Sequence, residues 1–122
     1  MRVLLLILLG LTALLHAVEG IASIADPAGM MVGLGLTMSP GVDVPLTFLG
    51  VAMLVRAAIA GIAVWWMVKH TQEGLFLARF VALTILLSAP IVLVRLGRTD
   101  FAIGDLVHGL LLLVPALLVK RV

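Results

Sequence analysis

Apolar residues fill four long runs of this chain, and the polar positions fall between those runs or singly inside them. The run from Leu46 to Val68 is twenty-three residues long and holds one charge, Arg56, close to its midpoint. At a helical rise of about 1.5 Å per residue it is long enough to cross the ~30 Å hydrocarbon core of a bilayer. A first run starts after Arg2 and continues from Val3 to Leu15, the shape of a secretory signal peptide, and Ser23-Ile24-Ala25 fits a cleavage site. With Ala17 to Ala25 added, the same segment is long enough to span a bilayer, and we expect it to be retained as a first helix. A third run extends from about Phe80 to Gly97 with Pro90 near its centre, and a fourth from about Phe101 to Val119 with Pro115 near its end. The pattern predicts helices over about 3–25, 46–68, 80–97 and 101–119.

The connections differ in kind. Asp26-Pro27 is a helix-start signal, a capping Asp followed by Pro at the first helical position, so a short helix is expected from Ala28 to Leu36. It is too short to span, and its glycines and methionines suit a segment lying in the membrane interface or re-entering it. Ser39-Pro40-Gly41 then reads as a turn, and Asp43 and Pro45 open the second long helix. That helix closes on Trp65, Trp66 and Lys69, an aromatic belt with a basic anchor. Lys69 to Arg79 reads as a short polar loop. Gly10, Ala13, Ala17 and Gly20 recur at spacings of three and four on the first helix, a pattern that lets another helix approach closely.

Composition sharpens the class. With 64% hydrophobic and 11% charged residues in 122, the chain lies in the membrane range and reads as one small integral membrane domain. The absence of cysteine excludes disulfides, thiolate metal sites and cysteine nucleophiles. Eight Lys and Arg are dispersed along the chain, with no basic stripe for nucleic acid, and act here as topology signals. Arg2, Lys69, Arg79, Lys120 and Arg121 fall at the two termini and the second long connection, whereas Asp26, Asp43 and Asp100 fall in the other two. With four helices this places both termini in the cytoplasm.

The intramembrane polar residues then acquire depths. Counted inward from the outer helix ends, His16 and Glu19 lie about 14 and 9 Å deep, Arg56 about 15 Å, and Asp105 and His108 about 6 and 10 Å, with Arg95 close to the outer surface. His16 with Glu19, and Asp105 with His108, each share a helix face at a spacing of three. A guanidinium at the depth of Arg56 costs roughly 3 kcal/mol or more unless anions, carbonyls or water reach it. All six residues belong to the outer half, and their convergence in one polar cluster is the central expectation.

Several chemistries suit such a cluster. It could line an outward-facing site for an amphipathic molecule such as a quinone or lipid, with Arg and His orienting the polar head. Alternatively it could serve a proton-coupled transporter or channel, since imidazoles and membrane carboxylates are relay groups and Pro90 and Pro115 are weak points in their helices. His16 and His108 could ligate a haem b, and His16, Glu19, Asp105 and His108 could hold a single Zn or Fe. The plainest alternative is a structural subunit in which Glu19 pairs with Arg56 and Asp105 with Arg95, pairs whose disruption would cost about 3 to 5 kcal/mol. Met30, Met31 and Met38 read as packing, and His70 as a solvated loop residue. The expected partners are membrane lipids and either further copies of the chain or a larger membrane complex.

One resemblance covers nearly the whole chain. Asp26-Pro27 with Gly29, Gly33 and Gly35, Arg56 followed by Gly61, and Arg95 followed by Gly97 and Asp100 resemble the DoxX-like superfamily of small bacterial four-helix membrane proteins, in particular members of about this length whose function is unknown. The resemblance implies a four-helix bundle in a bacterial inner membrane and a link to quinone-coupled redox chemistry. The fold class expected is therefore all-α, an integral membrane four-helix bundle with a short interfacial or re-entrant helix between the first two long helices.

Overall fold

A computed structural model describes residues 1–33, 43–69, 72–96 and 99–119, with the side chains at 31–33, 43–47, 95 and 96 outside the description. Every element among them is helical: α1 Arg2–Ala25, α2 Pro27–Gly33, α3 Asp43–Val68, α4 Gln72–Leu96 and α5 Thr99–Leu118. The four long helices are each long and apolar enough to cross a membrane. Only 22 to 28% of each such span is buried, so large apolar side chains such as Leu14, Phe48, Leu87 and Val94 face outward from every one of them. Outward apolar faces of this extent suit lipid as the surrounding solvent.

The third long helix begins at Gln72, well before the expected Phe80, so most of the stretch read as a loop is helical. Glu73 in the first turn complements the helix dipole, and Leu75 and Ala78 are fully buried. Pro90 does not break α4, which continues to Leu96; the hydroxyls of Thr84 and Ser88 donate to the Val81 and Thr84 carbonyls at 2.7 and 2.9 Å, beside the ladder that the proline interrupts. The turn Ser39-Pro40-Gly41 lies outside the described residues, as do His70, Arg98 and the last two basic residues.

The chain divides into two compact units, residues 1–11 with 59–122 and residues 12–58. In the first, α4 and α5 pack along each other, and Gly109 lets them approach: a β-carbon there would stand 2.6 Å from Leu86 Cγ. At the α3–α4 hairpin a β-carbon on Gly74 would stand 2.6 Å from the Met67 backbone nitrogen. The fully buried side chains of this unit are apolar, among them Leu5, Leu9, Met67, Leu75, Ile85 and Leu112. Two arginines read as topology signals do more than face water. Arg79 donates from Nε to the Ala116 carbonyl at 3.0 Å and from Nη2 to the Val119 carbonyl at 3.1 Å. Arg2 Nη2 donates to the Met67 carbonyl at 2.9 Å. Each thus covers carbonyls that the end of a helix leaves without intrahelical partners, at the negative end of its dipole. Lys69 Nζ stands 4.9 Å from the centroid of the Trp65 ring, so the expected belt and anchor are one cation–π contact.

The second unit contains the rest of α1, α2 and the first part of α3. Asp26 Oδ1 accepts the Gly29 backbone N–H at 3.0 Å, the capping bond expected from Asp26-Pro27. Gly20 meets Gly50 and Leu54, and Gly50 meets Gly20, Ser23 and Ile24, so α1 and α3 run antiparallel and touch at two glycines. Of the expected small-residue row, Gly20 makes this contact, whereas Gly10 has open space where a β-carbon would go. Ten residues advance the helix by about 1,000°, which turns Gly10 away by roughly 80°.

Candidate functional site

The buried face of α1 is a single row. Leu5, Leu9, Thr12, His16, Gly20 and Ser23 are buried at spacings of three and four, the repeat that keeps one seam facing a bundle interior, and Arg2 and Glu19 stand half-buried beside it. Along that row the chemistry changes at Thr12. Leu5 and Leu9 are fully buried, and beyond them come Thr12, His16 and Ser23, exposed by only 1, 5 and 0%, with Glu19 half-buried among them. Those three are the buried polar side chains among the described residues, and all stand on this one row. A seam that elsewhere takes leucine here takes hydroxyl, imidazole and carboxylate, which requires each to find hydrogen-bonding or ionic partners. The Ser23 hydroxyl donates to the Glu19 carbonyl at 2.8 Å, and Thr12, His16, Glu19 and Arg56 each take part in further polar or ring interactions, while the Nδ1 atom of His16 is buried with no hydrogen-bond partner.

The glycine crossing sets where Arg56 falls against this row. Four residues back from Gly20 is His16 and six forward from Gly50 is Arg56; in antiparallel helices these lie within about 3 Å of one height, and Glu19 lies about 8 Å from the height of Arg56. Glu19 stands about 100° and His16 about 40° around α1 from Gly20, and Arg56 about 120° around α3 from Gly50, all in the same rotational sense. Equal senses on antiparallel helices fall on one flank of the pair. Arg56, half-buried, also continues the buried row Ala60, Ala63, Met67 on its own helix. His16, Glu19 and Arg56 therefore share a unit and a flank, and His16 and Arg56 share nearly a level.

The other three expected residues belong to the first unit. Asp105 is half-buried and takes a place in the α5 row Ala102, Asp105, Gly109, Leu112, Ala116, Val119, again at spacings of three and four. His108, half-buried, neighbours Gly109, the residue seated on Leu86. Arg95 lies in the last turn of α4, its side chain outside the description. Asp105 and His108 both have interaction partners. Among the described residues no three His, Asp or Glu side chains are grouped so that they could hold a metal ion, so the Zn or Fe reading finds no ligand cluster.

Two site residues escaped the sequence reading. Thr12 and Ser23 extend the His16–Glu19 pair by four residues at each end, and that spacing was the signal that could have found them. The class defined here is an all-α protein with four helices fit to cross a membrane and a buried polar row on the first. Comparison with protein-family models, curated proteins and solved structures finds no match to this chain.

Proposed function

We propose that this chain is a multi-pass protein of a bacterial inner membrane, of DoxX-like type, with both termini cytoplasmic, that binds a small amphipathic molecule of quinone or lipid kind. The polar head sits in the outer half of the bilayer against His16, Glu19 and Arg56, and the protein works as a homo-oligomer or as a subunit of a larger membrane complex. The observation that carries this reading is the change of the α1 seam from Leu5 and Leu9 to Thr12, His16, Glu19 and Ser23, on the flank where Arg56 stands. Packing alone is served by leucine on that row, and polar groups buried in a membrane helix mark ligand or ion sites. A guanidinium with an imidazole at its level offers donors to a carbonyl, phenol or acidic head, and apolar walls accept a tail.

The test is native mass spectrometry of the full chain extracted from its own membranes in a mild detergent. The expected spectrum shows an assembly that retains a non-covalent mass of quinone or lipid size, and Arg56→Ala lowers the retained fraction several-fold. A bare assembly with no retained mass contradicts the reading. In that case substrate-dependent flux in liposomes would point to the transporter alternative. If there is no flux either, and a stable Glu19→Gln, Arg56→Gln double variant behaves as the parent, the ion pairs are structural only.

A further inference from the structure

Arg2, the apolar run from Val3 to Leu15 and Ser23-Ile24-Ala25 keep the order of a secretory signal peptide, and they place its cut at the Ala25–Asp26 bond. A peptidase takes such a segment as an extended strand, with the amides and carbonyls around the cut free to pair with the enzyme. The folded chain offers a helix instead. α1 continues to Ala25, and the nitrogen of the bond to be cut, the Asp26 amide, donates to the Ala22 carbonyl at 2.9 Å. The Asp26 side chain is engaged as well, since its Oδ1 accepts the Gly29 N–H at 3.0 Å. Ser23, the small residue that a peptidase pocket would receive two places before Ala25, is fully buried, and its hydroxyl donates to the Glu19 carbonyl at 2.8 Å. Gly50 of α3 lies against it: a β-carbon there would stand 3.0 Å from Ser23 Cβ and 2.9 Å from Ile24 Cγ1. All of these contacts fall within the unit of residues 12–58.

We propose that Ala25–Asp26 is a latent cleavage site for the peptidase that removes secretory signal peptides, shut by the packing of α1 on α3 at Gly20 and Gly50. To become a strand, Ser23 to Asp26 must give up these helical bonds and Ser23 must come out from beneath Gly50, so the site opens only as the two helices part. In a chain whose α3 has not docked, water adds across the bond, its oxygen to the Ala25 carbonyl carbon and a hydrogen to the Asp26 nitrogen, and residues 1–25 are released. That fragment carries away His16 and Glu19. Docked chains therefore keep the polar row, and undocked chains lose it. The proposal rests on the cytoplasmic amino terminus of the function proposed above, which puts the Ala25 end on the outer side where such peptidases cut, and not on a bound amphipathic molecule.

The experiment follows the full chain in bacterial cells by intact mass and amino-terminal sequencing. Wild type is expected to keep residues 1–25. Gly50→Leu drives a side chain into the Gly20 carbonyl and is expected to raise the fraction of chains beginning at Asp26 at least about tenfold, because cleavage follows the population of the open form. Adding Ala25→Leu removes the small residue at the cut and is expected to restore the whole chain. Wild type cut at Asp26, a Gly50→Leu chain that stays whole, or a cut indifferent to Ala25→Leu overturns the proposal. Should Gly50→Leu not accumulate, Ala22→Pro decides, since it breaks the helix just before the cut without adding bulk at the glycine contact. It is expected to be cut at Asp26, and a whole chain overturns the proposal. The chain has no cysteine, so Ala28→Cys reports topology separately, with labelling by a membrane-impermeant maleimide from outside the cell as the expected result. If that variant stays unlabelled, the topology fails and the proposal with it; labelling beside an uncut Gly50→Leu chain overturns the proposal alone.

Discussion

A β-carbon added to Gly20 would stand 2.8 Å from the carbonyl oxygen of Gly50, and one added to Gly50 would stand 2.8 Å from the carbonyl oxygen of Gly20. The backbones of α1 and α3 thus meet without a side chain between them. Backbone on both sides cannot yield as a flexible side chain does, so Gly20→Ala and Gly50→Ala are each expected to cost about 1–3 kcal/mol by overpacking. The double variant should cost less than the two together, because one separation of the helices relieves both clashes. Reversible unfolding in mixed micelles measures this, with Gly10→Ala and Gly61→Ala, where open space awaits the methyl group, as controls that lose nothing.

Arg79 ties α4 to the end of α5 through two carbonyls three residues apart. Arg79→Gln should cost about 1.5–3 kcal/mol, the range for hydrogen bonds from a charged donor, and should speed amide exchange in the last turn of α5. Arg79→Lys is expected to recover only part of the loss, since an ammonium lacks the planar fork that reaches both oxygens. Hydrogen exchange read residue by residue separates this local fraying from global unfolding.

Gly109 and Leu86 are expected to behave as a pair. Gly109→Ala drives a methyl group into the Leu86 side chain, Cδ2 at 2.7 Å as well as Cγ at 2.6 Å, and the backbone nitrogen of Leu86 at 3.1 Å leaves little room for retreat. A loss of about 1–3 kcal/mol should follow. Leu86→Ala in the same chain clears the branched carbons, so the cycle of single and double variants should show a favourable coupling of about 1 kcal/mol or more. Gly104→Ala, on the open side of the same helix, supplies the comparison.

Asp26→Ala removes the cap of α2 and should cost about 1 kcal/mol locally. Asp26→Asn, which keeps an acceptor at the same place, should retain most of it. The Gly29 amide, now bonded to the carboxylate, reports the difference directly through its exchange rate.

How much was legible in advance varies from residue to residue. The four apolar helices and the Asp26 cap follow from patterns no longer than a helical turn, repeated, and they stand in the structure where expected, apart from the early start of α4. That start was hidden because Gln72, Glu73 and Arg79 look like loop residues, and the carbonyls that hold Arg79 stand 37 to 40 residues away. His16 and Glu19 were visible as chemistry, while Thr12 and Ser23 were passed over as ordinary small polar residues. Their membership of the site depends on which face of α1 is buried, and an almost uniformly apolar helix does not announce its inner face.

The amino-acid sequence by itself determined the helices, their fitness to cross a membrane and the presence of ionisable groups inside them, because these depend on hydropathy and on interactions within about four residues. Tertiary structure alone decided which glycines matter, with Gly20, Gly50, Gly74 and Gly109 closely approached and Gly10, Gly61 and Gly104 open. It also decided that Arg2 and Arg79 cover helix ends 65 and 37 to 40 residues away. The physical reason is the same in both cases. A glycine or an arginine has no intrinsic preference that names its partner, and only the packing of one helix on another brings a backbone or a carbonyl within reach.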